Sequence, residues 1–271
     1  MASSRSIVMS AGSALVIAVV VSVGAVAAHR QTPVGADAWD TAARPLQVTS
    51  VAVPKLELPN YNTSGSYPQV SGGPVDLTAV NAALRGQVLH DQEQYAQKER
   101  GEYGTSLDTS RYQGTYEIDF SPALMSASTV VVSTMYPTLE LYPGGNDGSG
   151  WMSFTAPVPA GKPVELVDLL DSPAQGLEAI ASYVTEHVVA TNVCVAGSYN
   201  AFGSVSSQIS GQGFAPTAEN YHNFALTRQG LDIGLGQGQV GAEACGAIRV
   251  TVPWPVAQFN STGLSLVDGL R

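Results

Sequence analysis

Apolar residues recur at helical spacing in two segments of the chain. Asp76 can cap the first segment, whose apolar positions fall on one face of a helix: Leu77, Val80, Leu84, Val88 and Tyr95. Ser172 can cap the second, with Pro173 at the first helical position. Its apolar stripe has a similar spacing: Leu177, Ile180, Val184 and Val188. The pattern predicts two main amphipathic helices.

Between and after these helices the pattern changes to that of strands. Alternating or β-branched apolar runs occupy residues 112–120, 128–136, 151–156, 224–227, 231–235 and 247–252. Strands and helices do not alternate regularly, which argues against a doubly wound sheet. The sequence therefore predicts an α+β fold, with an antiparallel β-sheet packed with the two main helices.

The N-terminal residues have the pattern of an export segment. Residues 6–28 carry no charge, follow Arg5, and end with Ala25-Val26-Ala27, which fits a signal-peptide cleavage site. The run is also long enough to span a bilayer, which takes about 20 residues. A cleaved signal peptide and a single-span anchor both stay open. Either one predicts a secreted or extracytoplasmic protein.

The rest of the chain suggests one folded body with flanking segments. Residues 29–60 are rich in Pro and Ala and predict a tether, although residues 46–58 alternate enough to form an edge strand instead. The predicted folded domain covers residues 61–260, and residues 261–271 are expected to form a C-terminal tail. Five residues precede the apolar run, so we expect no cytoplasmic domain.

Charge narrows the classes of partner. The chain has 12 basic and 22 acidic residues, for a net charge of −10. Nucleic-acid binding normally requires a basic face, and an anionic membrane surface also attracts basic segments. We therefore expect no nucleic-acid partner, and contact with a membrane only through the N-terminal segment.

The two cysteines, Cys194 and Cys245, predict a disulfide. An even number of cysteines in an exported protein is typical of disulfide pairing. A metal site would need further Cys or His ligands at short spacing, and neither cysteine has such a neighbour.

Cofactor and metal motifs are weak. Residues 236–241 match G-x-G-x-x-G, but neither a helix pattern nor a suitably placed acidic residue follows, so a glycine-rich hairpin or loop is expected. Glu219 with His222, and Glu186 with His187, are Glu/His pairs that lie close together in the sequence. They are too few for a zinc or carboxylate-bridged site. We expect no cofactor and no metal.

Three carboxylates cluster before the second helix: Glu165, Asp168 and Asp171. Such residues at a helix start usually serve as caps and dipole partners. Two opposed carboxylates can instead cleave a glycosidic bond, which keeps a cell-wall-active hydrolase as the alternative function. The chain contains no G-x-S-x-G nucleophile motif.

Four elements in a fixed order resemble one known family. Residues 219–233 are similar to a motif N-Y-x-N-F-x-(L/V)-T-x-x-G-(L/V), which here comprises Tyr221, Asn223, Phe224, Thr227 and Gly230. Residues 67–72 with 80–81, 159–170 and 246–253 are similar to its opening strand and helix, its G-K element and its final strand. The chain thus resembles the RsiV-like domain family of unknown function. That family includes the extracytoplasmic domain of the RsiV anti-sigma factor and a secreted immunogenic antigen of mycobacteria.

The resemblance implies an exported α+β domain without established catalytic residues. For the anti-sigma factor it also implies a receptor role in which the outer domain binds lysozyme. A sigma-binding segment is not expected in this sequence, so anti-sigma activity does not carry over. Residues 144–148 read Gly-Gly-Asn-Asp-Gly where relatives often have Gly-Gly-x-His-Pro, which weakens any transfer of a ligand contact at that turn.

The sequence therefore favours an exported, non-enzymatic domain that binds a protein or cell-envelope ligand. An acidic domain favours a basic, lysozyme-like partner. The candidate ligand surface comprises Asn146, Asp147, Glu165, Asp168 and Asp171. We expect the motif residues to be structural, with Phe224 in the core and the side chain of Asn223 bonded to backbone at a strand entry.

Overall fold

The computed structural model of this protein describes residues 46–55, 61–103, 114–141, 147–201 and 212–271. The predicted export segment, residues 1–28, lies outside these ranges. Within them, no helix combines the length and the apolar composition that crossing a membrane requires.

Six strands form the larger sheet: β1 Gln47–Ala52, β2 Tyr61–Ser71, β3 Gly114–Asp119, β4 Met125–Ala127, β5 Val131–Leu141 and β6 Gly148–Pro157. Strands β1, β2, β3 and β5 follow one another in that order. Strands β3 and β4 pair with different parts of one side of β5, residues 138–141 and 132–134, and β6 pairs along its other side. All pairings are antiparallel except that of β2 with β3. This leaves β6 at an edge of the sheet.

Three further strands form a separate antiparallel sheet in the order β7-β8-β9: β7 Phe224–Leu226, β8 Leu231–Leu235 and β9 Ile248–Val252. The sequence predicted these strands but not their separation from the larger sheet. Strand periodicity shows which side chains share a face, whereas the division into sheets depends on pairing between distant segments.

The helices of the described residues are α1 Thr78–Tyr103, α2 Pro173–Thr191, α3 Val193–Ala201, α4 Trp254–Ala257 and α5 Ser261–Asp268. Short 3₁₀ helices cover Pro122–Leu124, Leu166–Leu169 and Glu243–Cys245. The two main helices, α1 and α2, lie where the apolar stripes predicted them, and the predicted α+β fold class is confirmed.

The two sheets pack face to face between the two main helices. On one face of the larger sheet, Val132 and Phe154 share a buried cluster with Leu84 of α1. On the other face, the Ser133 hydroxyl accepts a hydrogen bond from the Leu226 N–H of β7 over 2.7 Å. Residues of α2 share a larger cluster with residues of β7, β8 and β9. The layers therefore run α1, larger sheet, smaller sheet, α2.

Gly234 of β8 allows the two sheets to approach closely. A Cβ atom there would lie 2.6 Å from the Trp151 ring and 2.8 Å from the Met135 sulfur. Real Cβ atoms do not come this close to other atoms. Residue 234 must therefore be a glycine for Trp151 of β6 to pack against its backbone.

The segments predicted as a tether and as a C-terminal tail both contain regular secondary structure. Residues 47–52, inside the predicted tether, form β1 and pair along β2, which is the edge-strand alternative. Residues 261–268, inside the predicted tail, form α5, in which Leu266 and Val267 are buried. Asn260 caps this helix, since its Oδ1 accepts from the Gly263 N–H over 3.0 Å.

Cys194 and Cys245 form the predicted disulfide, with Cα atoms 5.6 Å apart and a sequence separation of 51 residues. The bond joins α3 to the 3₁₀ helix that precedes β9. It therefore ties the end of the helical layer to the smaller sheet.

Candidate functional site

A groove with a volume of about 370 Å³ lies beside β6. Its walls come from α1, from the segment entering the 3₁₀ helix Leu166–Leu169, and from the loop that precedes β7. The described residues that line it are Gln87, Ser153, Phe154, Thr155, Pro163, Val164, Glu165, Leu166, Val167, Ala218, Glu219, His222 and Phe224. Lysine and arginine are missing from this set.

Two glutamates give the groove its charge. Glu165 and Glu219 are both exposed and line the groove from separate segments of the chain. From the sequence, Glu165 was predicted to belong to a candidate ligand surface, whereas Glu219 was a weak metal candidate. The feature of the sequence that pointed to Glu219 was His222, which follows it by three residues.

His222 is held in one orientation by its neighbours. Its Nδ1 contacts the Glu219 carbonyl oxygen, and its Nε2 lies 2.9 Å from the Asn223 side-chain nitrogen. A carbonyl can only accept and an amide nitrogen can only donate, so Nδ1 serves as the donor and Nε2 as the acceptor in these two contacts. The loop therefore presents a fixed imidazole at the groove wall.

Ser153 anchors this loop to β6. Its hydroxyl donates to the His222 carbonyl over 3.3 Å and accepts from the Phe224 N–H over 3.1 Å. The Asn223 carbonyl accepts from the Gly234 N–H over 2.8 Å. The prediction that the Asn223 side chain bonds backbone was wrong, because that amide is used to orient the His222 ring and the main chain makes the strand-entry bond itself.

The other motif residues build the structure behind the groove. Phe224 is 3% exposed and belongs to the core cluster shared with α2. The buried Tyr221 donates its hydroxyl to the Phe214 carbonyl over 3.0 Å. At the turn from β7 to β8, the Thr227 hydroxyl accepts from the Gly230 N–H over 3.1 Å.

The glycine-rich residues 236–241 form the turn after β8. Within it, the side-chain Nε2 of Gln239 donates to the Gly213 and Asn220 carbonyls, each over 3.1 Å. This turn therefore supports the loop carrying Glu219 and His222. In the part of the chain that the structure describes, no group of three or more His, Cys, Asp or Glu side chains could hold a metal ion.

The remaining residues of the candidate ligand surface lie elsewhere or serve the backbone. Asp168 Oδ2 accepts from the Glu165 N–H over 3.3 Å, as a helix cap does. The Asp171 N–H donates to the Gln258 carbonyl over 2.9 Å. The Asp147 carbonyl accepts from the Gln237 side chain over 2.9 Å. Asn146 lies outside the described residues, so of this set only Glu165 is known to line the groove.

A second polar cluster lies between α1 and the larger sheet, apart from the groove. The Tyr116 hydroxyl donates to Asp91 Oδ2. Burial, followed by the charge of Glu140, raises the pKa of Asp91 to about 6. Burial and the charge of Asp91 also raise the pKa of Tyr136, whose hydroxyl has no hydrogen-bond partner among the described residues.

Comparison with known proteins identifies part of this architecture. Residues 168–255 match the model of a family described as a protein of unknown function, DUF3298. No curated protein matches the chain.

Two solved structures are similar in fold. One is a member of the DUF3298 family from Bacteroides fragilis, with 14% identity, a TM-score of 0.46, and coverage of 81% of this chain and 96% of that chain. The other is a DUF3298 family protein from Pseudomonas aeruginosa, with 10% identity, a TM-score of 0.48 and the same coverage of both chains.

The matched range contains α2, the smaller sheet and the loop with Glu219 and His222, and it includes both cysteines. Residues 168–255 are thus the part of the chain that is similar to the DUF3298 family, whose function is unknown.

Proposed function

We propose that this protein is an exported, non-enzymatic domain that binds a cationic protein or cell-envelope ligand in the groove beside β6. The observation that carries the proposal is the pair Glu165 and Glu219, two exposed carboxylates lining one groove. No described lining residue is a lysine or an arginine that would neutralise them.

The charge of the whole chain supports the same class of partner. A net charge of −10 attracts basic proteins over long range and raises the rate of encounter. The paired carboxylates would then provide a local contact for lysine or arginine side chains of the partner.

Export is supported by two features of different origin. The apolar residues 6–28 predict a signal peptide or an anchor. The disulfide between Cys194 and Cys245 is of a kind that persists mainly in oxidising compartments. Both are expected of a domain that meets its ligand outside the cytoplasm.

Calorimetry of the full-length protein against lysozyme tests the proposal. Lysozyme is a suitable probe because it is strongly basic. We expect heat of binding at about 0.05 M salt and weaker binding at about 0.15 M, where the Debye length falls to about 8 Å. Absence of heat at both salt concentrations, with the protein shown to be folded, would rule out lysozyme as the ligand.

A charge-matched pair of variants locates the binding surface. Glu165→Gln with Glu219→Gln removes two charges from the groove, and we expect it to weaken binding at least about tenfold, or ~1.4 kcal/mol. Glu186→Gln with Glu243→Gln removes two exposed charges outside the groove lining. Equal effects of the two double variants would show that net charge, and not the groove, attracts the ligand.

The same pair of glutamates is the observation that keeps a hydrolase as a second candidate. Most glycoside hydrolases require a pair of carboxyl groups at one site. Both are exposed to solvent, which suits recognition of a cation better than chemistry in a water-excluded site. Release of soluble fragments from purified peptidoglycan, lost in Glu165→Gln and in Glu219→Gln, would support the hydrolase.

A further inference from the structure

The outer side of β6 is closed at two points and faces the groove between them. Near its start, the Ser149 N–H donates to Gln237 Oε1 over 2.7 Å, and the Ser149 carbonyl accepts from the Gln237 N–H over 3.0 Å. Near its end, the Thr155 carbonyl accepts from the Val164 N–H over 2.9 Å. The stretch between these closures includes Trp151 and Ser153.

Ser153 has an unused backbone donor on this side. Its carbonyl accepts from the Gln87 side chain, which lies outside the sheet. The N–H and C=O of a strand residue point to the same side, so the Ser153 N–H also points away from β5. Among the described residues it has no hydrogen-bond partner.

Gln87 closes this edge incompletely. Elsewhere on α1, the Asn81 side chain pairs with both backbone groups of Val70, accepting from its N–H over 2.9 Å and donating to its carbonyl over 2.8 Å. Gln87 bonds only the carbonyl of Ser153, and its own Oε1 is buried with no partner in the described chain. Unlike Asn81, Gln87 therefore covers its strand edge but forms a hydrogen bond with only one of the two backbone groups exposed there.

We propose that an extended segment of the cationic partner binds as an added strand on β6 between Trp151 and Thr155, displacing the Gln87 amide from Ser153. The proposal rests on the proposed function, since it specifies how the groove recognises its ligand. In strand addition, main-chain hydrogen bonds give affinity, and alternate side chains give specificity.

The lining of the groove indicates the chemistry of that segment. Glu165 and Glu219 favour lysine or arginine, whereas Pro163, Val164 and Val167, which are not fully buried, offer apolar contacts. Successive side chains of a strand point to opposite sides. The fitting segment therefore alternates basic with apolar or β-branched residues over about five positions.

Peptide pools test the proposal without requiring knowledge of the natural ligand. The probe is a fluorescent pool of pentapeptides with lysine or arginine at the second and fourth positions and valine, leucine or threonine at the others. Two matched pools are N-methylated on alternate nitrogens, one on the even and one on the odd positions. Methylation removes backbone donors but keeps every charge and side chain.

Strand addition predicts an asymmetric result by fluorescence anisotropy with the full-length protein. The pool methylated on the side facing β6 should lose at least about tenfold in affinity, while the other keeps affinity within about threefold. Binding of the parent pool should also slow amide hydrogen exchange in a fragment covering residues 150–155. Equal binding of all three pools would overturn strand addition and leave the proposed charge recognition standing.

A variant of Gln87 tests the displacement step. Gln87→Ala should raise the affinity for the parent pool several-fold, because the competing amide is gone. Gln97→Ala, which removes an exposed glutamine from the same helix, should leave affinity unchanged. A fall in affinity in Gln87→Ala would show that this side chain holds the ligand and would overturn its displacement.

Two further outcomes separate this inference from the proposed function. If lysozyme binds but no peptide pool does, strand addition is wrong while cation binding stands. If neither binds, the proposed function fails as well. Concentration-dependent dimerisation without peptide, abolished by Ser153→Pro, would mean that a second copy of the chain occupies the edge, which also overturns the peptide proposal.

Discussion

The Tyr116 hydroxyl of β3 donates a hydrogen bond to the Asp91 carboxylate of α1, at the interface between helix and sheet. Burial and the neighbouring Glu140 raise the pKa of Asp91 to about 6, against the lowering effect of His90. The folded protein therefore holds this carboxyl more easily in its neutral form than the unfolded chain does.

This arrangement predicts a pH-dependent cost in stability. Below 3.8, the ordinary pKa of an aspartate side chain, Asp91 is protonated in both states, and above about 6 it is ionised in both. Between these values folding takes up a proton, so stability falls as the pH rises. Asp91→Asn should therefore raise the free energy of unfolding, relative to the wild type, by about 1–3 kcal/mol more at pH ~7.5 than at pH ~4.5.

Urea unfolding at both pH values measures this difference, and Asp76→Asn provides the control. The pKa of Asp76 is lowered from 3.8 by hydrogen bonds from Thr78. Its contribution is therefore lost only as the pH falls below the unfolded pKa, so the difference between Asp76→Asn and the wild type should be nearly the same at the two pH values. A pH-independent difference between Asp91→Asn and the wild type would contradict the raised pKa.

Reduction of the Cys194–Cys245 bond should lower the melting temperature. The bond spans 51 residues of sequence, and the chain-entropy model assigns such a loop roughly 3–4.5 kcal/mol. For a domain of this size that corresponds to about 10 °C. Thermal melts with and without dithiothreitol test this. The double variant Cys194→Ser, Cys245→Ser should melt at the same temperature as the wild type in dithiothreitol, and dithiothreitol should not change its melting temperature.

Phe224→Ala should cost about 3–5 kcal/mol, because it opens a cavity in the cluster between the smaller sheet and α2. Val193→Ala is the control, since Val193 is 89% exposed and its truncation should change stability by no more than about 0.5 kcal/mol. Chemical unfolding compares the two. Similar small effects in both variants would mean that Phe224 is not an essential part of the core.

Two adjacent residues of β5 should respond in opposite directions to loss of a hydroxyl. Ser133→Ala removes the acceptor of the Leu226 N–H and a 2.6 Å contact with the Thr155 hydroxyl, so it should cost about 1–3 kcal/mol. The buried Thr134 hydroxyl has no partner in the described chain. Thr134→Val should therefore be neutral or stabilising by up to about 1 kcal/mol. Destabilisation by both would indicate that packing, and not hydrogen bonding, dominates at β5.

The sequence by itself predicted those features that depend on local order. The apolar stripes correctly predicted the buried faces of α1, from Leu77 to Tyr95, and of α2, from Leu177 to Val188. Helical periodicity can be recognised within a few turns of sequence. The glycine-rich residues 236–241 were predicted as a loop, since no helix pattern follows them. The disulfide followed from there being two cysteines and an export pattern.

The groove could be recognised only in the tertiary structure. Glu165 and Glu219 lie far apart in the sequence, and Gln87 and Ser153 are separated by 66 positions, so no local pattern brings them together. The strand pattern of residues 151–156 likewise did not reveal that β6 would be an edge strand. Side-chain alternation encodes which face is buried, whereas the neighbours of a strand are chosen by packing between distant segments.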